Sequence, residues 1–262
     1  MSMDKNDRIV IDSRSSWKYF LEHIPGAANV SDWREFTVKG KDVPGVLIDD
    51  KQQLAKLLSD HGIQHGKTIV IYGEPSDPWR TDGRIFWMLE YFGFSNVKLL
   101  EGGVSAWKEA GGEVERGRDH APTSNLKAQE INFNPAVHAD KSYINERLSA
   151  KTLAIIDNRT EEEYKGATPY GSQRGGHIPT AIHIDWRDFY SSEGRLHSPD
   201  TLMALMKTYG LDDSREVVVY CTGGVRSSMA YFVFKYLGYS VRNYDGSWWD
   251  WSNDSNLPVE NT

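Results

Sequence analysis

An internal repeat constrains the fold of this chain more than any other feature of its sequence. A short apolar strand ending in Asp-x-Arg occurs twice, at residues 9–14 and 155–159. A His-Ile-Pro turn follows each strand, beginning at His23 in the first case and at His177 in the second. Further matching landmarks recur in the same order, and the paired positions are separated by 144 to 154 residues. Such a nearly constant offset indicates two copies of one domain.

Each copy alternates short β-branched strands with helical patterns. The strands at residues 68–72 and 216–220 are each preceded by a leucine-rich amphipathic segment. Strands that alternate with helices predict an α/β fold, with two domains that are each a parallel β-sheet flanked by helices. Residues 113–132 are polar and charged, which is typical of a linker. We therefore predict an N-terminal domain at 1–115, a linker at 116–135 and a C-terminal domain at 136–262.

Composition narrows the functional classes that need to be considered. The formal net charge of -7 argues against nucleic acid as a partner. There is no apolar run of the roughly 18 residues that a membrane span needs, and the first residues lack the apolar core of a signal peptide. We therefore expect a cytoplasmic protein with no membrane partner. We also expect a monomer, because two pseudo-symmetric domains within one chain can replace a dimer.

The single cysteine of the chain stands at a chemically informative place. Val217 to Tyr220 form an apolar run typical of a buried strand, and this run ends on Cys221. Glycines follow, and then a helical pattern that runs to Leu237. Glycines at such a turn let several backbone N–H groups point at one spot, where the helix dipole and Arg226 add positive charge. The pattern predicts an anion cradle around the Cys221 sulfur, formed by Thr222, Gly223, Gly224, Val225, Arg226 and Ser227.

Two interpretations of Cys221 compete. A free cysteine is most often a small buried hydrophobic residue. Gly-Gly and an arginine directly after the strand favour a reactive thiol, whose pKa should fall well below the free value of about 8.5. We expect Ser227 to cap the helix rather than to donate its hydroxyl to the sulfur. One cysteine also excludes a disulfide within the chain and a cysteine-based zinc site, so we expect no metal.

The first copy lacks these features at the corresponding place. Gly73 stands where the second copy has Cys221, and Glu74 and Asp77 follow it. Acidic side chains would repel an anion, and two prolines in the same loop remove backbone donors. We therefore predict that the N-terminal domain is inactive and that the C-terminal domain is catalytic.

Together these residues resemble the rhodanese (sulfurtransferase) family in its tandem two-domain form. The resemblance covers essentially the whole chain. It rests on the Asp-x-Arg and His-Ile-Pro of each half, on the strand, cysteine loop and helix of 217–237, and on the closing segment 244–248. It implies that Cys221 accepts a sulfane sulfur from thiosulfate or 3-mercaptopyruvate as a persulfide and passes it to cyanide or a thiol. It implies no cofactor.

The resemblance also implies substrate-binding residues between the second Asp-x-Arg and His177. Arg174 and Lys165 are the candidates for binding the anionic group of the donor, and the alternative is that both are solvated surface charges. The donor stays open. Thr222 and Gly223 are small and neutral, as in mercaptopyruvate sulfurtransferases, whereas an arginine at the end of the loop is typical of bacterial rhodaneses that use thiosulfate.

Other functions remain possible on the sequence. Related phosphatases place five residues between cysteine and arginine, whereas only four separate Cys221 from Arg226, so the shorter loop favours a single sulfur atom over a phosphate. Arsenate reduction would need a second cysteine within the chain to resolve the intermediate. A persulfide carrier or binding module with little turnover stays an open alternative.

Overall fold

The computed structural model describes residues 7–40, 45–117 and 123–261. Parts of the predicted segments lie outside these ranges, namely residues 1–6 and 41–44 of the N-terminal domain, 118–122 of the linker, and Thr262. The chain divides into two compact units. The first unit comprises Met1–Thr37 with Ile48–Asn134, and the second comprises Val38–Leu47 with Pro135–Thr262. A short piece of the N-terminal half, residues 38–47, thus belongs to the second unit.

The first unit contains a four-stranded parallel sheet in the order β2-β1-β3-β4. Its strands are β1 (Arg8–Asp12), β2 (Ala28–Asn29), β3 (Thr68–Tyr72) and β4 (Val97–Leu99). Its helices are α1 (Ser16–Leu21), α2 (Lys51–Asp60), α3 (Thr81–Tyr91) and α4 (Gly103–Glu109), with short 3-10 turns at Trp33–Phe36 and Ala128–Glu130. The apolar strands are mostly buried, as expected for a parallel sheet that helices cover.

The second unit contains a five-stranded parallel sheet in the order β5-β9-β8-β6-β7. Its strands are β5 (His138–Ala139), β6 (Leu153–Asp157), β7 (Ile182–His183), β8 (Glu216–Tyr220) and β9 (Val241–Tyr244). Its helices are α5 (Lys141–Asn145), α6 (Glu161–Tyr164), α7 (Pro199–Thr208), α8 (Val225–Tyr236) and α9 (Ser247–Asn253), with 3-10 turns at Pro135–Val137 and Trp186–Phe189. The predicted α/β fold with two helix-flanked parallel sheets is confirmed.

Strand β8 lies at the centre of the second sheet, between β6 and β9. Its last four residues are fully buried, and the indoles of Trp248 and Trp251 on α9 pack into the same core. Burial of these apolar side chains is the main contribution that stabilises the strand, and each Å² of apolar surface removed from water contributes about 25 cal/mol. The residue that follows β8 is therefore held by the most buried part of the unit.

Hydrogen bonds at the carboxyl end of the sheet fix the neighbouring strands against each other. Arg159 and Asp157 form an internal ion pair, with Arg159 Nη2 2.6 Å from Asp157 Oδ2 and both side chains buried. Tyr220 donates its hydroxyl to the same carboxylate, at 2.5 Å, and accepts the N–H of Ile178. These bonds tie the end of β8 to β6 and to the His-Ile-Pro turn.

Within the part of the chain that the structure describes, no helix combines the length and the apolar character needed to cross a bilayer.

Candidate active site

Cys221 directly follows β8 at the carboxyl end of the sheet, where ligands of open parallel sheets bind. The residue is 1% exposed and forms no disulfide. Its N–H donates to the Ser247 hydroxyl at 3.2 Å, and its carbonyl accepts the N–H of Trp248 at 3.0 Å. The main chain of the cysteine is therefore anchored to the start of α9.

The carbonyl groups of the loop are bonded away from the sulfur. Thr222 O accepts the N–H of Trp249 at 2.9 Å, and Gly224 O accepts the hydroxyl of Ser228. The C=O and N–H of one trans peptide unit point in opposite directions. The N–H groups that share a peptide unit with these carbonyls therefore point away from the partners of the carbonyls. The Gly223 amide, which shares its peptide unit with the Thr222 carbonyl, is one of these, and the amides of Gly223 and Ser227 both lower the pKa of the Cys221 thiol as hydrogen-bond donors. The arrangement is a small cradle of donors for one anionic atom.

The environment lowers the pKa of the Cys221 thiol, as the sequence predicted. Burial is the largest influence and raises this pKa, since it disfavours the charged thiolate. The positive charge of Arg226 and the hydrogen bonds from Ser227 and Gly223 act in the opposite direction and together prevail. Cys221 is therefore poised to be a thiolate more readily than an ordinary buried cysteine.

The Ser227 side chain acts on the Cys221 sulfur and does not cap helix α8. Helix α8 begins after Gly224, whose φ of 78° is left-handed, and it has no side-chain cap. The predicted capping role of Ser227 is therefore wrong. Its hydroxyl is fully buried, lacks a nitrogen or oxygen partner among the described residues, and is one of the groups that lower the pKa of the Cys221 thiol.

A buried carboxylate that the sequence analysis missed lies beside the loop. Arg226 donates to both oxygens of Glu163, with Nη1–Oε2 at 2.7 Å and Nη2–Oε1 at 2.9 Å. Nη2 also donates to the hydroxyl of Thr222 at 2.6 Å, and this hydroxyl donates in turn to Glu163. Burial raises the pKa of Glu163, but Arg226 and Thr222 outweigh it and lower the value to about 2. The carboxylate is therefore ionised at neutral pH.

Comparison with known proteins places the fold and the loop in a family. The model of the rhodanese-like domain matches residues 1–110 and again residues 140–254. The chain belongs to the rhodanese family. Both halves of this rhodanese carry the domain, in agreement with the sequence repeat.

Curated relatives support sulfur transfer as the chemistry of this rhodanese. The thiosulfate sulfurtransferase of Corynebacterium glutamicum is 33% identical over 97% of this chain and 84% of its own length. The thiosulfate sulfurtransferase of Azotobacter vinelandii is 31% identical over 96% of this chain and 90% of its own. The sulfur carrier protein TtuD of Thermus thermophilus is 31% identical over 92% of this chain and 86% of its own.

Solved structures share the same fold. The crystal structure of YnjE is 27% identical, with a TM-score of 0.82 over 97% of this chain, which spans 62% of the YnjE chain. A structure of an EanB variant with a cysteine persulfide, in a tetrahedral intermediate state with ergothioneine, superposes with a TM-score of 0.86 over 99% of this chain and 66% of its own. At 24% identity, this second likeness concerns the fold alone.

The two predicted substrate-binding residues are engaged elsewhere in this rhodanese. The guanidinium of Arg174 donates to four main-chain carbonyls, those of Trp251, Ser252, Asp254 and Leu257. Lys165 forms an ion pair with Glu161 on the surface of α6, and its side chain is 57% exposed. Within the described residues, neither side chain hydrogen-bonds to the loop 221–227. These contacts give Arg174 a structural role, and the prediction that both residues bind substrate gains no support.

Aromatic residues form the rim of the cysteine loop. A Cβ built at Gly223 would lie 2.1 Å from Cζ3 of Trp249, so the indole packs directly on this glycine. Trp249 Nε1 donates to the carbonyl of Tyr170 at 3.0 Å. The Tyr170 ring is half exposed, and its centroid lies 5.7 Å from Cζ of Arg226. The two aromatic side chains therefore border the approach to the loop.

Residues 45–47 also approach the loop, which the sequence did not predict. A Cβ built at Gly45, whose φ is +104°, would lie 2.8 Å from the carbonyl oxygen of Gly223. The N–H of Leu47 donates to Asp245 Oδ2 at 3.1 Å, and Asp245 lies just after β9. A glycine is needed at position 45 because both the left-handed backbone and the close approach exclude a side chain.

Proposed function

We propose that this rhodanese transfers a sulfane sulfur from thiosulfate or 3-mercaptopyruvate to cyanide or a thiol acceptor through a persulfide on Cys221. The observation that supports it most is the donor set around the sulfur. The amides of Gly223 and Ser227, the hydroxyl of Ser227 and the charge of Arg226 all favour an anionic sulfur there. Preorganised donors of this kind stabilise charge that develops during a reaction.

The first half-reaction loads the enzyme. The Cys221 thiolate attacks the outer sulfur of thiosulfate, the sulfur–sulfur bond of the donor breaks, and sulfite leaves with the bonding electrons. With 3-mercaptopyruvate, the carbon–sulfur bond breaks and the carbon takes up a proton to give pyruvate. In both cases Cys221 retains one extra sulfur as a persulfide.

The second half-reaction returns the thiolate. Cyanide or a thiolate attacks the outer sulfur of the persulfide, and the sulfur–sulfur bond breaks towards Cys221. The products are thiocyanate or a new persulfide on the acceptor. The loop donors keep Cys221 ionised before the first step, and in the second step they stabilise the negative charge that returns to its sulfur as the persulfide bond breaks.

Thiosulfate is our first choice of donor. The relatives named thiosulfate sulfurtransferases support it, together with the arginine that ends the loop. Thr222 and Gly223 add no positive charge, which leaves 3-mercaptopyruvate as the competing donor. The rates with the two donors distinguish these possibilities.

The deciding experiment is intact-protein mass spectrometry after incubation with each donor. We expect the mass to increase by one sulfur atom, and cyanide to remove that atom as thiocyanate. Cys221→Ser should abolish loading, whereas Glu74→Gln at the corresponding loop of the first half should load normally. Loading by neither donor, combined with hydrolysis of a phosphotyrosine mimic, would instead assign phosphatase activity.

A sulfur carrier is the second candidate function. It is favoured by the relative named a sulfur carrier protein. A carrier would load with one sulfur but release thiocyanate slowly in the steady state. Comparing one round of unloading with multiple turnover separates the carrier from the enzyme.

A further inference from the structure

Helix α6 carries three consecutive acidic residues, and only the third is buried. Glu161 and Glu162 are exposed, whereas the side chain of Glu163 is 2% exposed. Burying a carboxylate is unfavourable unless its oxygens are well paired. Glu163 meets this need with both terminal nitrogens of Arg226, the Thr222 hydroxyl and the N–H of Thr160.

This pairing restrains the only basic side chain of the cysteine loop. A guanidinium held by both of its terminal nitrogens in a fork-to-fork pair has a fixed position and plane. Arg226 is further restrained by the Thr222 hydroxyl at 2.6 Å, and its side chain is 4% exposed. The ionisable groups that act most on its charge are Glu163, Cys221 and Tyr170. Arg226 is thus a fixed charge rather than a mobile anion-binding arm.

We propose that Glu163 is a positioning residue of the sulfur site, which acts through Arg226. It keeps the guanidinium beside Cys221, so that the same positive charge stabilises the thiolate and the persulfide. It also occupies the guanidinium nitrogens that could otherwise bind the anionic group of a donor. The effect on sulfur transfer rests on the proposed function, whereas the effect on the thiol does not.

The rate of alkylation of Cys221 by iodoacetamide as a function of pH tests this inference, because the chain has no other cysteine. Without Glu163, Arg226 loses its restraint, and the pH midpoint of Glu163→Ala should rise towards the free value of about 8.5. We expect alkylation of this variant at pH 6.5 to be about tenfold slower, the equivalent of one pKa unit.

The direction of the shift is decisive. A carboxylate that acted only through its own negative charge would have the opposite effect, because removing an anion makes a nearby thiol more acidic. An unchanged or lower midpoint in Glu163→Ala would therefore overturn the proposal. Should that variant fail to fold, Glu163→Gln keeps the shape and one acceptor oxygen. Its alkylation should be about threefold slower than that of the wild type, and equal or faster alkylation would overturn the proposal.

Glu162→Gln is the matched control, since it removes a carboxylate from the same helix at an exposed position. It should shift the alkylation rate by less than about twofold, as surface charges are well screened. A shift as large as that of Glu163→Gln would show that the effect is not specific to the buried pair, which also counts against the proposal.

Steady-state kinetics with thiosulfate add a second readout. A residue that positions charge at the sulfur should lower kcat in Glu163→Gln by about tenfold and leave KM within about twofold. A rise in KM with unchanged kcat would instead make the Glu163–Arg226 pair part of donor binding and overturn the proposal. If wild-type protein is not loaded by any donor, the proposed function fails, and the alkylation profile still decides the role of Glu163.

Discussion

The two halves of the chain share a scaffold and differ at one loop. In the first half, Arg14 pairs with Asp12 at 2.7 Å, and Tyr72 donates to the same carboxylate at 2.6 Å, as their counterparts do in the second. The histidine of each His-Ile-Pro turn stacks on a tyrosine, with ring centroids 3.8 Å apart in both pairs, Tyr19–His23 and Tyr164–His177. The duplicated framework is therefore independent of the chemistry.

The two halves differ first at the position that is Cys221 in the second half and Gly73 in the first. A Cβ built at Gly73 would lie 3.0 Å from Cγ of Asp82 and 3.0 Å from the hydroxyl of Ser13. Helix α3 begins after Arg80, which has a left-handed φ of 52° like Gly224 before α8. Asp82 thus stands two residues after the left-handed residue, where the second half has its arginine. The first half has a buried carboxylate close to the position where the second half needs a cation.

The two halves also differ in which element carries the acidic side chain of a second ion pair. Lys18 pairs with Glu74 at 2.8 Å, and Glu74 directly follows Gly73. In the second half, the residue before the stacked tyrosine is Glu163, and it binds Arg226 and Thr222 of the loop. The anion lies on the loop in the first half and on the helix in the second. The two loops therefore differ in the placement of their charged side chains, whereas the hydrogen bonds at the carboxyl ends of the strands are shared by the half predicted to be inactive and the candidate active one.

The largest effect is expected when the cysteine is moved from the second half to the first. We expect a Gly73→Cys and Cys221→Ser double variant to remain unloaded by thiosulfate, because Asp82 and Glu74 disfavour an anionic sulfur. Intact mass after incubation checks this, with Cys221→Ser alone as the control for the second half. Loading of the double variant at a rate near that of the wild type would mean that the loop charges do not matter.

Replacing Arg226 removes the cation of the cysteine loop. Arg226→Met leaves Glu163 buried without its partner, so the variant should lose about 3–5 kcal/mol of unfolding free energy. The midpoint of Cys221 alkylation should rise at the same time. Urea unfolding measures the stability, and Arg187→Met is the control, since the Arg187 side chain is 62% exposed. A loss equal to that of the control would contradict a buried, paired Arg226.

The third prediction concerns acid stability. The pKa of Glu163 falls from 4.5 to about 2 on folding, so its contribution is complete above pH 4.5 and is lost as the pH falls to about 2. The shift corresponds to roughly 3 kcal/mol. Glu163→Gln should lack this part of the acid-dependent loss, so the stability difference between wild type and variant should shrink between pH 5 and pH 2. A difference that stays constant over this range would assign the shift to another carboxylate.

The smallest expected effect concerns the rim. Gly223→Ala places a methyl group against the Trp249 ring, and overpacking of this kind costs about 1–3 kcal/mol. We expect sulfur loading to slow threefold to tenfold without a change in donor preference. Gly40→Ala serves as control because a Cβ at Gly40 meets no atom within 4 Å. Equal rates for the two variants would mean that Trp249 moves aside freely.

Local sequence patterns were sufficient for the fold and for the position of the cysteine. β-branched runs such as Val217 to Tyr220 and the helical periodicity after Gly224 are properties of neighbouring residues. The repeat supports the fold further, because the same patterns recur in both halves of the chain. The lowered pKa of Cys221 followed from the glycines and the arginine beside it. Each strand, loop and helix pattern spans fewer than about 20 residues, so no knowledge of distant contacts was required.

Long-range contacts settled the remaining features of the site. Glu163 lies 63 residues from Arg226, and the Thr-x-x-Glu capping pattern of α6 indicates a helix start without indicating which carboxylate faces the loop. Arg174 finds its carbonyl partners 77 to 83 residues away, and the local sequence did not predict these contacts. The place of residues 38–47 in the second unit likewise depends on packing. Packing and burial determine which residues that are distant along the chain contact each other. The local pattern of residues does not predict these contacts.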